Sequence, residues 1–268
     1  MLDPIAPSPP GRWHGDHVEV VRLGGVRSRT ITATRGRRRL TVRHALRPGD
    51  LSDGLAIRVA DELALEQRSD FEAVMVGLIR STVDDPVCAW AEFYRNSLQD
   101  LLSGAAAFSP VHERAEQLVA GASVVDLGSC FGFFAIRLAR AGLTVTATDI
   151  CASTMRLLAR VAPELDCSLD TVACDAAFVP LPDNHADTVT AIHLLEHVDA
   201  ATGALILAEA VRVARRRVVV AVPFETTPTA CHGHVRTFDV EALRAMGDTV
   251  GCRFAVTEYH GGWLVLDL

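Results

Sequence analysis

From about residue 122 to the C-terminus the chain alternates apolar, strand-like runs with amphipathic helical runs, and its last two strand-like runs are only three residues apart. The pattern reads strand 122–127, helix 131–141, strand 143–149, helix 152–161, strand 169–174, strand 186–192, helix 200–214, strand 217–222 and helix 239–250. Such alternation implies a parallel sheet covered by helices on both faces. Runs 253–259 and 263–268 are joined by His260-Gly261-Gly262. That link is too short for a parallel crossover, so the sheet is expected to end in an antiparallel hairpin.

The first of these strands runs into Val124-Val125-Asp126-Leu127-Gly128-Ser129-Cys130-Phe131-Gly132. An apolar run stops at an acid, two glycines follow four positions apart, and a helix begins. Backbone N–H groups at a helix start favour electron-rich ligand atoms, and glycine lets a ligand approach the backbone closely. A dinucleotide site would offer G-x-G-x-x-G, whereas this turn has no third glycine at the required place. A nicotinamide-dependent oxidoreductase is therefore the alternative reading and not the leading one.

Length and charge bound the rest. The 268 residues, 49% of them hydrophobic, suffice for one α/β domain with an extension. A net charge of −7 disfavours a dedicated nucleic-acid binder. Every fixed positive charge is an arginine, since the chain has no lysine. Seven cysteines without a C-x-x-C pair read as reduced, mostly buried thiols, and the sequence assigns no metal site. The N-terminal stretch has no basic-then-apolar leader, and no apolar run reaches the roughly 18 residues of a membrane span. A soluble cytoplasmic protein is expected, with no membrane or nucleic-acid partner; the sequence leaves its oligomeric state unknown.

Residues 1–15 are rich in proline and glycine and are expected to fray. Alternation in 16–47 predicts two or three short strands, with Arg35, Arg37, Arg38 and Arg39 clustered at one turn, either a solvated tip or a contact for an anionic or sugar-bearing substrate. Residues 51–102 change to helical period and are broken at Asp85-Pro86, and the last helix carries Trp90, Phe93 and Tyr94. That aromatic helix either caps the ligand site or simply packs. The division expected is an N-terminal extension, 1–104, and a ligand-binding domain, 105–268.

Four further stretches sharpen the reading: Val145-Thr146-Ala147-Thr148-Asp149-Ile150, Ala173-Cys174-Asp175-Ala176, the loop Phe178-Val179-Pro180-Leu181-Pro182-Asp183, and His193-Leu194-Leu195-Glu196-His197-Val198. With the glycine turn and terminal hairpin, their order and spacing resemble a class I S-adenosylmethionine-dependent methyltransferase of the L-E-H-V small-molecule type. Cys130 stands where that family usually has the middle of three alternating glycines. The resemblance implies an α/β, Rossmann-like fold with a seven-stranded, mostly parallel sheet and a terminal antiparallel hairpin, preceded here by an N-terminal α/β extension. It implies S-adenosyl-L-methionine as cofactor, held by Asp126, Gly128, Ser129 and Gly132, by Asp149 and Ile150 at the ribose, by Asp175 and the Ala176 N–H at the adenine, and by His193. Helix or turn capping by the three acids, a structural hydrogen bond from His193 or Glu196, and plain packing of Cys130 are the alternatives. A non-catalytic S-adenosylmethionine binder is a third.

The methyl of this cofactor is already activated on a sulfonium, so the protein's task is to align a nucleophile and exclude water. A hydroxyl acceptor must lose its proton, and histidine suits that role. His197, His232 and His234 are the candidate bases, with Arg236 as an orienting group and Asp239 as the cap of the last helix. Glu225, His232 and His234 also admit a divalent ion. Finally, Arg80-Ser81-Thr82, Asp85-Pro86, Ala89-Trp90 and Phe93-Tyr94-Arg95-Asn96-Ser97, placed before the glycine turn, are similar to the actinobacterial mycofactocin oligosaccharide methyltransferases. That similarity implies a sugar hydroxyl acceptor, with Trp90, Phe93 and Tyr94 stacking on a sugar face. The partner expected is a small molecule or an oligosaccharide.

Overall fold

Val18 and Val20, and likewise Leu40 and Val42, are buried while their neighbours are not, so each strand turns one face to a helical layer. A computed structural model describes residues 3–24, 30–63, 65, 67–229 and 233–268. The chain separates into two units, residues 1–107 with 163–165 and residues 108–162 with 166–268.

In the first unit, strands β1 (Arg12–His14), β2 (Val18–Arg22), β3 (Ile31–Arg35) and β4 (Leu40–His44) form a sheet of order β1-β2-β4-β3. Strands β2 and β4 run parallel, while the outer pairs are antiparallel. Helices α1 (Leu55–Leu63), α2 (Arg68–Thr82) and α3 (Pro86–Ser103) follow. Helix α2 lies on β1 and β2, and Gly77 makes this possible: a Cβ there would stand 2.3 Å from Val20 Cγ2. The Asp85-Pro86 break becomes a cap, since the Asp85 carboxylate accepts the Cys88 N–H at 2.8 Å.

Three expectations change here. The sheet has four strands, because the three-residue β1 lies within a stretch whose prolines masked it. That stretch is tied down at Pro4, whose carbonyl accepts the Trp90 indole N–H, and at Ala6, whose carbonyl accepts from Arg80, both at 2.8 Å. Trp90, Phe93 and Tyr94 are at most 2% exposed, so these rings form core and offer no face to a sugar. In the arginine cluster, Arg35 bonds the buried Asp70, which also meets His17 Nε2 at 2.6 Å; these contacts hold the Asp70 carboxyl below its ordinary range.

The second unit begins with α4 (Ser109–Leu118) and carries strands β5 (Ser123–Leu127), β6 (Thr144–Asp149), β7 (Asp170–Ala173), β8 (Ala186–Ile192), β9 (Ala214–Val222), β10 (Arg253–Glu258) and β11 (Gly262–Asp267). Helices α5 (Phe133–Arg140), α6 (Ala152–Val161), α7 (Ala200–Val213) and α8 (Val240–Asp248) alternate with them. The sheet order is β10-β11-β9-β8-β5-β6-β7, parallel except at β11, which is antiparallel to both neighbours. Its core joins Val125, Leu127, Val189, Val218 and Val220 of the sheet to Ile206, Leu207 and Ala210 of α7 and Leu243 of α8. Each of the valine, leucine and isoleucine side chains contributes about 1.5–3 kcal/mol by leaving water. The connection between β5 and β6 runs to one side and that between β8 and β9 to the other, so the chain changes direction between β5 and β8. Ligands of open α/β sheets bind at the carboxyl ends of strands at such a point.

Candidate active site

At the end of β5 the backbone turns through three residues of positive φ: Gly128 at 68°, Cys130 at 50° and Gly132 at 75°. Cys130 thus follows the backbone path of a middle glycine, at a cost of about 1–2 kcal/mol for an L residue. The turn is held from the next strand. Ser129 N–H donates to the Thr148 carbonyl at 2.8 Å, Ser129 Oγ donates to the Asp126 carbonyl at 2.9 Å, and Thr148 N–H donates back to Ser129 Oγ at 3.2 Å. Gly132 then caps α5, its N–H donating to the Ser129 carbonyl at 2.7 Å.

Asp126 lies beneath this turn, 3% exposed. Thr190 Oγ donates to its carboxylate at 2.6 Å across the β5–β8 pair, where the two residues stand opposite. Burial pushes the Asp126 carboxyl up to about 6, against the pull of Thr190 and Ser129.

Asp149 closes the turn from β6. One carboxylate oxygen accepts the Cys130 N–H at 2.9 Å and the other the Cys151 N–H at 2.8 Å. A carboxylate offers about four acceptor positions, so this anchoring is compatible with further bonds to a diol. Asp175, after β7, is exposed and takes the Ala177 N–H at 2.9 Å, shaping the turn that carries the half-buried Ala176. Ile150 and Phe178 follow these acids and are 77% and 70% exposed. Two large apolar side chains presented beside two acids at adjacent strand ends suit a flat, partly apolar ligand with hydroxyls.

Past β8 the chemistry changes. His193, at φ 53°, lies edge-on to Phe108 with ring centroids 4.7 Å apart, and its Nδ1 is 3.1 Å from Glu196 Oε1. A short turn, Leu195–His197, then carries Glu196 inward, fully buried, and His197 outward. His197 Nδ1 meets the Gly233 carbonyl at 3.3 Å, and its ring packs edge to face on His234, centroids 4.9 Å apart. His234 Nδ1 meets Glu225 at 2.8 Å, and Glu225 also accepts Thr229 Oγ at 2.6 Å. Those two bonds hold the Glu225 carboxyl down at about 2. Arg236 Nε donates to the Leu195 carbonyl at 3.0 Å, and its guanidinium lies over the Phe238 ring. Asp239 caps α8 by accepting the Ala242 N–H at 2.8 Å.

Residues 125–222, from β5 through β9, match the family model described as a methyltransferase domain. Over these residues the chain carries a methyltransferase domain. No curated protein is significantly similar in sequence. Among solved structures, the mmp1179 protein of Methanococcus maripaludis, assigned to the S-adenosyl-L-methionine-dependent methyltransferases, is 15% identical at a TM-score of 0.50, covering 66% of this chain and 92% of that one. The PH0226 protein of Pyrococcus horikoshii OT3 is also 15% identical at 0.50, covering 63% and 91%. A SAM-dependent methyltransferase from Aquifex aeolicus is 15% identical at 0.49, covering 64% and 97%. At this identity the likeness is one of fold.

Within the methyltransferase domain the expected cofactor residues fall at one sheet edge: Asp126, Gly128, Ser129 and Gly132 at the turn, Asp149 with Ile150 after β6, Asp175 with Ala176 after β7, and His193 after β8. The exposed Ile150, the acceptor positions of Asp149 and the glycine turn fit S-adenosylmethionine. Of the candidate bases His197 and His234 come together, whereas His232 lies outside the described residues. Sequence reasoning missed two groups. Thr190 donates to Asp126 from a strand centre, where a threonine looks like any β-former. Glu196 was expected to make a structural hydrogen bond, yet neither carboxylate oxygen makes one, since His193 Nδ1 is close but badly aligned. No helix among the described residues is long and apolar enough to cross a membrane.

Proposed function

We propose that the chain methylates a hydroxyl group of a small molecule or glycan in the cytoplasm, with residues 105–268 as the catalytic domain and 1–104 as an extension. The observation that carries this reading is the histidine pair beyond β8 and β9. His234 is oriented by Glu225, His197 packs against its ring, and both lie at the carboxyl edge of the sheet that bears the glycine turn. S-adenosylmethionine, when bound, supplies a methyl group already activated on sulfur. In this reading Asp149 accepts from the ribose hydroxyls, Asp175 and the Ala176 N–H meet the adenine, and Ile150 covers its face. Gly128 and Gly132 allow close approach of the ligand to the backbone, and Ser129 fixes their turn. As the acceptor oxygen bonds to the methyl carbon and the carbon–sulfur bond breaks, the hydroxyl proton passes to His197 or His234. The sequence similarity of residues 80–97 supports a sugar hydroxyl, such as a glucose of the mycofactocin oligosaccharide.

Calorimetry with S-adenosylhomocysteine and transfer of a labelled methyl group to glucose oligosaccharides test the reading together. Wild-type protein is expected to bind the cofactor product, and Asp149→Ala to bind it at least about 100-fold more weakly, since the variant loses the carboxylate and both anchoring N–H bonds. His197→Ala and His234→Ala are expected to bind it normally while transfer falls about 100-fold or more. Full transfer in both histidine variants refutes the base assignment. Binding of NADH in place of S-adenosylhomocysteine refutes the cofactor.

A further inference from the structure

Three ligand-type atoms, one each from Glu196, His197 and His234, lie within 4.8 Å of one another. Glu196 decides what this means. It is 0% exposed, and both of its carboxylate oxygens lack a hydrogen-bond partner. A buried carboxylate without hydrogen bonds is costly unless a cation compensates it. Two neighbours bear on it: His193 Nδ1 stands 3.1 Å from Oε1, an ion pair only when that ring is protonated, and Arg236 makes no direct contact. Arg236 lies close enough to feel the Glu196 charge, yet its Nε is turned to the Leu195 carbonyl and its Nη2 is itself buried without a partner.

The two imidazoles beside that carboxylate are each held through Nδ1. Glu225 accepts from His234 Nδ1 and the Gly233 carbonyl accepts from His197 Nδ1, so each ring carries its proton on Nδ1 and its lone pair on Nε2. A carboxylate or carbonyl fixing the far nitrogen of a metal-ligating histidine is the usual outer shell of such a site. His197 is exposed, which leaves one side of the cluster open to an acceptor.

We propose that Glu196, His197 and His234 bind one divalent transition-metal ion through one carboxylate and two imidazole nitrogens. Two nitrogens and one oxygen suit zinc, manganese, iron(II) or nickel, whereas magnesium prefers an all-oxygen set. For its catalytic role the site rests on the hydroxyl-methylation reading; its occupancy does not. An acceptor hydroxyl on the open side of the ion loses its proton to water more readily, and the resulting alkoxide attacks the methyl carbon as the carbon–sulfur bond breaks. With the ion bound the histidines act as ligands and the metal lowers the barrier to proton loss; in the metal-free protein one of them is the base described above. No electrons are exchanged with the ion.

Full-length protein stripped with a chelator and dialysed is titrated with Zn²⁺, Mn²⁺ and Mg²⁺ by calorimetry and by thermal unfolding. One equivalent of Zn²⁺ or Mn²⁺ is expected to bind and raise the unfolding temperature, with Mg²⁺ weaker. Glu196→Gln, isosteric at the buried position, and His197→Ala, at an exposed one, are each expected to weaken binding at least about 100-fold. Glu225→Gln is expected to weaken it about 10–100-fold by releasing the His234 ring. Asp149→Ala keeps metal binding while losing S-adenosylhomocysteine, so failure at one site is distinguishable from failure at the other. Absence of binding by the wild type, or unchanged binding in both Glu196→Gln and His197→Ala, overturns the proposal.

Discussion

Asp126→Asn should stabilise the ligand-free protein, and the gain should depend on pH. The Asp126 carboxyl is buried and its pKa rises from an ordinary 3.8 to about 6. Such a group holds its proton more tightly when folded. Its presence therefore becomes increasingly unfavourable to folding as pH rises from 3.8 to 6, and the penalty is constant above that window. About two pKa units correspond to about 3 kcal/mol at pH 8, and the same linkage gives about 1.5 kcal/mol at pH 5. Asparagine retains an oxygen to accept from Thr190 and carries no charge. Any fixed cost of the buried amide is the same at both pH values, so the difference of about 1.5 kcal/mol is the quantity to read. Urea unfolding of both proteins at pH 5 and pH 8 measures it. A gain that is equal at the two values, or larger at pH 5, refutes the claim that a desolvated carboxylate lies under the turn.

Two backbone substitutions test the geometry around it. Cys130→Gly should stabilise the fold by about 0.5–1 kcal/mol in urea unfolding, because release of left-handed strain exceeds the entropy glycine adds to the unfolded chain; a loss of stability contradicts that assignment. Gly261→Ala should destabilise by more than about 1 kcal/mol in thermal or urea unfolding. Gly261 has a φ of 124°, and a Cβ there would stand 2.4 Å from the Val222 carbonyl oxygen, which belongs to backbone and cannot swing away.

The fold of the second unit was legible because each strand end carries its own punctuation. Gly128 with Gly132, Asp149, Asp175 and the three-residue link at His260 mark positions that periodicity alone would blur. In the first unit the short β1 escaped notice because Trp13, its buried residue, sits among prolines and glycines that read as loop. The turn was legible where it needs a rare residue type at a strand end, as at Asp149, which accepts the Cys130 and Cys151 N–H groups. The site was opaque where a role depends on pairing across the sheet, as with Thr190 opposite Asp126, or on the absence of a partner, as with Glu196. Sequence states which groups are present, and only the packing decides which of them are left unsatisfied.

The carboxyl edge of the sheet divides at the point where the chain changes direction, and the two halves differ in chemistry. On the β5–β6–β7 side lie carboxylates with exposed aliphatic and aromatic neighbours, suited to a ligand that is apolar on its faces and hydroxylated at its rim. On the β8–β9 side lie imidazoles held by Glu225 and Gly233, together with the buried Glu196, suited to moving a proton or holding a cation. Asp126 and Thr190 bond across the β5–β8 boundary, so the strand bearing the glycine turn and the strand leading to the histidines are fixed in register at the same level. In the proposed reaction, donor and acceptor would then be held by one pair of strands fixed in register, which is what an in-line transfer between two bound molecules requires.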